Sequence, residues 1–143
     1  MPDPRINLLE RWFEEVWNQG RESAIDEMAA PDVVAHGLID AQGQTVSNRD
    51  KFRAFWHQFR TAFPDLRVDV HDAIVEGDKV VVRCVARGTH QGEGINLAPT
   101  QKNVRFDGIV IARVRNNQLV EVWNTWDFLT FYQQLGVVNL ASA

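Results

Sequence analysis

The hydrophobic period of this chain changes once, at Pro64, and that change limits the folds open to it. Before Pro64 the apolar residues recur every three or four positions, as on one face of a helix; after it they alternate, as along a strand. The first helical stretch starts where Asp3 can cap it and Pro4 suits the first turn. Ile6, Leu9, Phe13, Val16 and Trp17 form its stripe, Trp12 widens it, and Gly20 ends it. A short second helix runs from Ser23, with Asp26 completing a capping-box-like pattern, to Pro31. A third starts at Ser47, with Asp50 three residues on, and carries Phe52, Phe55, Trp56, Phe59 and Phe63 on one side.

Between the last two helices, Val33 to His36 reads as a short strand, followed by a loop over residues 37–46. Beyond Pro64, strands are predicted over Leu66–Val75, Lys79–His90, Asn103–Arg115 and Gln118–Phe128, with turns at Gly77-Asp78 and Asn116-Asn117. A glycine-rich loop spans residues 88–101, and a short amphipathic segment, Phe131 to Leu135, ends the pattern. Three helices followed by two long hairpins specify an α+β domain, an antiparallel sheet with the helices gathered on one face. The 143 residues are one domain's worth, 1–143.

A regular turn at Asn116-Asn117 sets an expected register: Arg115 opposite Gln118, Ala112 opposite Glu121, Val110 opposite Trp123, Gly108 opposite Thr125, Phe106 opposite Asp127. Those side chains would share one face. It mixes Phe106, Val110 and Trp123 with two carboxylates, and Gly108 leaves a gap, so the face reads as a pocket wall. The other face, with Ile109, Ile111, Val122 and Trp126, is apolar too, and an apolar patch of that size calls for a partner, here a second copy of the chain.

Five stretches in this order resemble one family: Glu14-Glu15-Val16-Trp17-Asn18-Gln19-Gly20, Phe63-Pro64-Asp65-Leu66, Glu76-Gly77-Asp78-Lys79-Val80, Gly88-Thr89-His90-Gln91-Gly92-Glu93 and Glu121-Val122-Trp123-Asn124-Thr125-Trp126-Asp127. They are similar to the SnoaL-like polyketide cyclases, or ester cyclases, of the nuclear transport factor 2-like superfamily. The resemblance implies a cone-shaped curved sheet and three N-terminal helices around an apolar cavity. It implies aldol-type ring closure in a small hydrophobic carbonyl compound, with no metal and no cofactor. It places the acid/base aspartate at Asp127, and His90 and His36 near the cavity. The chain departs from the family at Asn96-Leu97-Ala98-Pro99-Thr100-Gln101-Lys102. Its only tyrosine is Tyr132, so the helix-one tyrosine of ketosteroid isomerases is missing, with Trp12, Phe13 or Trp17 in its place.

The chemistry asked of these residues is definite. A carboxyl group that removes a proton beside one carbonyl can return it to the oxygen of a second. An apolar pocket would raise its pKa and make it a better base. Phe106, Trp123, Trp17 and Phe59 are the expected walls, and Glu121 the group that holds Asp127 or His90. Asp127 has a second reading, as the cap of a terminal helix from Phe128 to Leu135. The function reads as a cofactor-independent cyclase, with a non-catalytic binder of small apolar ligands, or a hydroxylase, hydrolase or isomerase on the same scaffold, as alternatives.

Composition narrows the partners. A net charge of −4 without a basic run opposes nucleic acid and anionic membranes as partners. No apolar run approaches the roughly 20 residues of a membrane span, and no secretory signal opens the chain, so a cytoplasmic location is expected. The one cysteine, Cys84, lies in the strand pattern and reads as a small buried hydrophobe.

Overall fold

The computed structural model describes residues 3–139. Helix α1 (Pro4–Arg11) starts as the sequence predicts, with the Asp3 side chain accepting from the Arg5 amide. It then continues as a π-helix over Trp12–Asn18. The wider π turn brings residues five apart onto one side, and Trp12 and Trp17 accordingly flank Phe52, with ring centroids 5.3 and 5.9 Å away. Helix α2 (Ser23–Met28) is short and passes directly into β1 (Ala29–His36). Pro31 therefore lies inside a strand rather than ending a helix.

Helix α3 (Arg49–Ala62) is capped by Asn48, one residue beyond the expected start at Ser47. Its Trp56 Nε1 donates to the Val16 carbonyl at 2.8 Å, and its Arg60 Nη1 to the Trp17 carbonyl at 2.5 Å. Two carbonyls at the end of the π-helix are thus satisfied from α3, which fixes the two elements together.

The remaining strands are β2 (Arg67–Glu76), β3 (Lys79–Thr89), β4 (Asn103–Arg115) and β5 (Gln118–Trp126), followed by helix α4 (Phe128–Leu135). The sheet order is β1-β5-β4-β3-β2. All pairs are antiparallel except β1 with β5, which run parallel. The helices and the inner face of the sheet enclose the core, in which Phe63 and Phe131 are fully buried. Cys84 is also buried there, and burial pushes its thiol up to about 12. No helix of the described residues is long and apolar enough to cross a membrane.

The second hairpin corrects the expected register. Asn116 and Asn117 both adopt positive φ, as a tight two-residue turn requires, and Arg115 does face Gln118. Two residues later a bulge intervenes: Val114 pairs with Leu119, but Arg113 pairs with Glu121. Val120 is the extra residue. Beyond it every partner is displaced by one, so Ala112 faces Val122, Val110 faces Asn124, Ile111 faces Trp123 and Gly108 faces Trp126. Side chains alternate, so the faces of β5 exchange. Val122, Asn124 and Trp126 turn inward. Glu121, Trp123 and Thr125 turn outward, on the same side as Ile109 and Ile111.

Candidate functional site

A cavity of about 80 Å³ lies between the helices and the inner face of the sheet. That is several times the ~10–15 Å³ one water needs. Leu9, Trp12, Phe13 and Trp17 wall it from the first helix and Phe52, Phe55 and Phe59 from α3; Phe106, Val110, Val122 and Trp126 line the sheet side. The gap expected at Gly108 is not open space. A Cβ there would lie 2.1 Å from the Trp126 ring, so the indole lies across the glycine and forms part of the floor.

Three polar side chains reach this lining: Asn48, Arg49 and Asn124. Asn124 is held at both ends of its amide. Its Nδ2 donates to the His36 carbonyl at 3.1 Å, and its Oδ1 accepts from Trp126 Nε1 at 3.4 Å. A carbonyl can only accept and an indole N–H can only donate, so the amide has one orientation. One N–H and one lone pair remain for a ligand. Arg49 follows the α3 cap and reaches back along β1, donating from Nη1 to the Ala29 carbonyl at 3.3 Å.

The residues expected at the site are spread over four places. Phe106, Trp17 and Phe59 line the cavity. His36, Glu121 and Trp123 form a cluster on the opposite face of the sheet, where the bulge sends them. The His36 ring stacks on Trp123 at 5.5 Å, and its Nε2 lies 2.8 Å from Glu121 Oε2. Lys79 and Arg113 lie over the same indole at 5.6 and 6.0 Å.

His90 is completely buried, stacked on Phe63 at 5.2 Å, behind the cavity rather than on its wall. Its Nδ1 lies 3.2 Å from the Thr100 amide, which donates to it. The proton of a neutral ring is then on Nε2, which has no hydrogen-bond partner. Burial lowers the His90 pKa, an effect the Gly92 carbonyl opposes. The loop bearing His90 sits close on α3 because Gly92 and Gly94 have no Cβ: one added there would lie 2.1 Å from the Thr61 carbonyl oxygen or 2.3 Å from that of Gln58.

Asp127 is exposed and caps α4. Its carboxylate accepts from the Thr130 amide at 3.0 Å and from the Thr130 hydroxyl at 2.6 Å, and these bonds hold its pKa below the usual carboxylate range. It is not part of the lining, although its neighbours Trp126 and Phe128 are. Sequence reasoning missed Asn124 and Arg49. Asn124 sits inside the Glu121–Asp127 motif but faces inward, opposite Val110, only once the bulge is counted, and Arg49 is one position past a helix cap with no motif of its own.

A curved five-stranded sheet folded over helices around an apolar hollow is the nuclear transport factor 2 or ketosteroid isomerase type of fold. The likeness extends to a protein from Catenulispora acidiphila with a ketosteroid isomerase-like fold, at 17% identity and a TM-score of 0.73 over 92% of this chain and 93% of that one. The sequence profile of the SnoaL-like polyketide cyclases matches residues 7–135, and the chain belongs to that family. Among solved structures it is similar to IdmH from Streptomyces antibioticus, a candidate polyketide cyclase, with 30% identity, a TM-score of 0.79, and coverage of 95% of this chain and 100% of that one. It is also similar to AclR from Streptomyces galilaeus, a candidate hydroxylase, with 27% identity, a TM-score of 0.80, and coverage of 94% and 86%. No curated protein matches the sequence.

Proposed function

We propose that the cavity receives a small, largely apolar carbonyl compound and promotes its ring closure by an aldol-type step. The observation behind this reading is the make-up of the wall: aromatic and aliphatic side chains, with one oriented amide, Asn124, among them. Ring closure removes a proton from the carbon beside one carbonyl. The resulting enolate carbon bonds to the second carbonyl carbon, and that carbonyl's oxygen takes up a proton. An apolar hollow favours the folded form of a flexible chain and keeps the reacting carbons together. The free N–H of Asn124 is a donor for an oxygen that gains negative charge, and such a bond strengthens where water is excluded.

Asp127 is the proposed acid/base group, on the strength of the family motif and of its place between two lining residues. Its carboxylate reaches the cavity only if the first turn of α4 opens and releases it from Thr130. A second reading, carriage of the ligand without turnover, is favoured by the lining itself, which among the described residues holds no carboxylate and no imidazole.

The test uses an enolisable aromatic keto ester. Binding is followed by quenching of tryptophan emission and ring closure by absorbance. The cyclase reading expects Asp127→Asn to bind as wild type and to lose about a hundredfold or more in turnover, the usual range for a lost acid/base group. Undiminished turnover in that variant removes Asp127 from the mechanism. Tight binding with no product from the wild type leaves carriage as the function.

A further inference from the structure

Arg49 is placed like a residue with a task left over. Four charged side chains tie α2 to α3: Glu22 and Asp26 on one side, Arg49 and Arg53 on the other, with His57 beside Glu22. Arg53 takes both carboxylates, at 3.1 Å for Glu22 and closely for Asp26. Arg49 is left with the Ala29 carbonyl at its Nη1 and with Asp26 Oδ1 at 3.5 Å from its Nε, without a hydrogen bond to that carboxylate. That Nε is buried and has no other partner. A buried N–H without an acceptor is costly, and a guanidinium does not shed its charge to escape the cost. Unlike Arg53, Arg49 belongs to the lining of the cavity, where it is the only charged group among the described residues.

We propose that Arg49 is the cavity's donor for the most acidic oxygen of the ligand, holding it as an enolate or phenolate rather than as the neutral enol or phenol. This rests on the reading that the cavity takes a carbonyl compound, and it adds a residue and a charge state to it. No bond within the ligand changes in this step; the O–H proton passes to solvent and the negative oxygen remains beside the guanidinium. The division of labour is then clear. The neutral amide of Asn124 serves the second carbonyl, whose oxygen is uncharged in the bound ligand and gains charge only as the ring closes, and the cation serves the oxygen that carries charge from the start. The under-used half of the α2–α3 ion cluster faces the ligand, while Arg53 holds the helices together.

The experiment uses 4-nitrophenol, a compact apolar ring whose ionisation is visible by colour, titrated with pH while bound to the full-length protein. An apolar cavity alone would raise the pH at which it ionises; a neighbouring cation lowers it, by about one to three pH units. The expected result is ionisation at lower pH in the wild-type complex than in free solution. It should move upward in Arg49→Met and Arg49→Gln but not in Arg53→Met, which breaks the same ion cluster away from the cavity. Bound probe that ionises at higher pH than free probe in the wild type overturns the proposal. So does an Arg53→Met shift as large as that of Arg49→Met. The wild-type titration stands by itself should the Arg49 variants fail to fold. If the probe does not enter the cavity, this inference and the carbonyl-binding reading fall together; entry with unchanged ionisation removes only the role of Arg49.

Discussion

His90 shows what a buried polar side chain costs and how that cost can be read out. The ring is neutral, its Nδ1 occupied by the Thr100 amide and its Nε2–H unpartnered among aromatic rings. Protonation would turn Nδ1 into a second donor, at the loss of the Thr100 amide bond and with only the Thr100 hydroxyl, 3.1 Å away, to accept from it. The folded pKa is depressed below the ordinary 6.5, so the unfolded chain takes up a proton that the folded one refuses. Stability should therefore be intact above about pH 6.5 and decline as pH falls below it, toward the depressed folded value. Urea titrations at pH 7.5 and 5.5 would show the loss, and His90→Gln should flatten the difference between them. At this scale the sequence was legible for three of the four expected aromatic walls. Phe106, Trp17 and Phe59 stand out by size and period and reach the cavity, while Trp123 lies beyond the bulge and faces out. It was not legible for polar ones. Asp127 fits both a catalytic motif and a helix cap, and only coordinates show its oxygens on Thr130.

The elements depend on two irregularities that no simple period announces. The π-helix at Trp12–Asn18 needs donors for its displaced carbonyls, and α3 supplies them. Trp56→Phe keeps an aromatic ring there but removes the pyrrole half of the indole and with it the Nε1 donor to the Val16 carbonyl. It should cost about 1–3 kcal/mol, the usual result of leaving a buried acceptor unpaired, measurable by chemical denaturation. Gly108 is the second case. Its missing side chain makes room for the Trp126 ring, so Gly108→Ala should push that indole into the cavity. Overpacking of this kind costs about 1–3 kcal/mol, and ligand affinity should fall with it. Helix positions and turn residues could be read from caps and from Gly, Pro and Asn. The π turn and the Val120 bulge could not, because both depend on long-range hydrogen bonds rather than on local preference.

For the molecule as a whole, the period change at Pro64 was enough to recover the α+β architecture, since each amphipathic helix face needs the sheet to cover it. The parallel seating of β1 against β5 was beyond its reach, because it joins segments some ninety residues apart. The outer face of the sheet now has a definite content. Ile74, Val81, Ile111 and Trp123 are successive partners across β2, β3, β4 and β5, an apolar stripe four strands wide. Neighbouring charges such as Asp72 with Arg83 and Asp69 with Arg87 are paired within the chain, which limits the unpaired charge that a twofold copy would meet at the stripe. Sedimentation at tens of micromolar is expected to show a dimer, and Ile111→Asp a monomer; a monomeric wild type at that concentration would end the idea. The bulge at Val120 also reaches beyond the hairpin it interrupts. What the hollow presents along β5 is decided by the register of pairing, not by the identities of the residues. Deleting Val120 would close the bulge and leave the pairs beyond it in place, whereas drawing Val120 into the ladder opposite Arg113 would re-seat everything downstream, trading an amide for an indole and bringing Glu121 round to the inside. A slip of one place at that point would give the same residues a different chemistry.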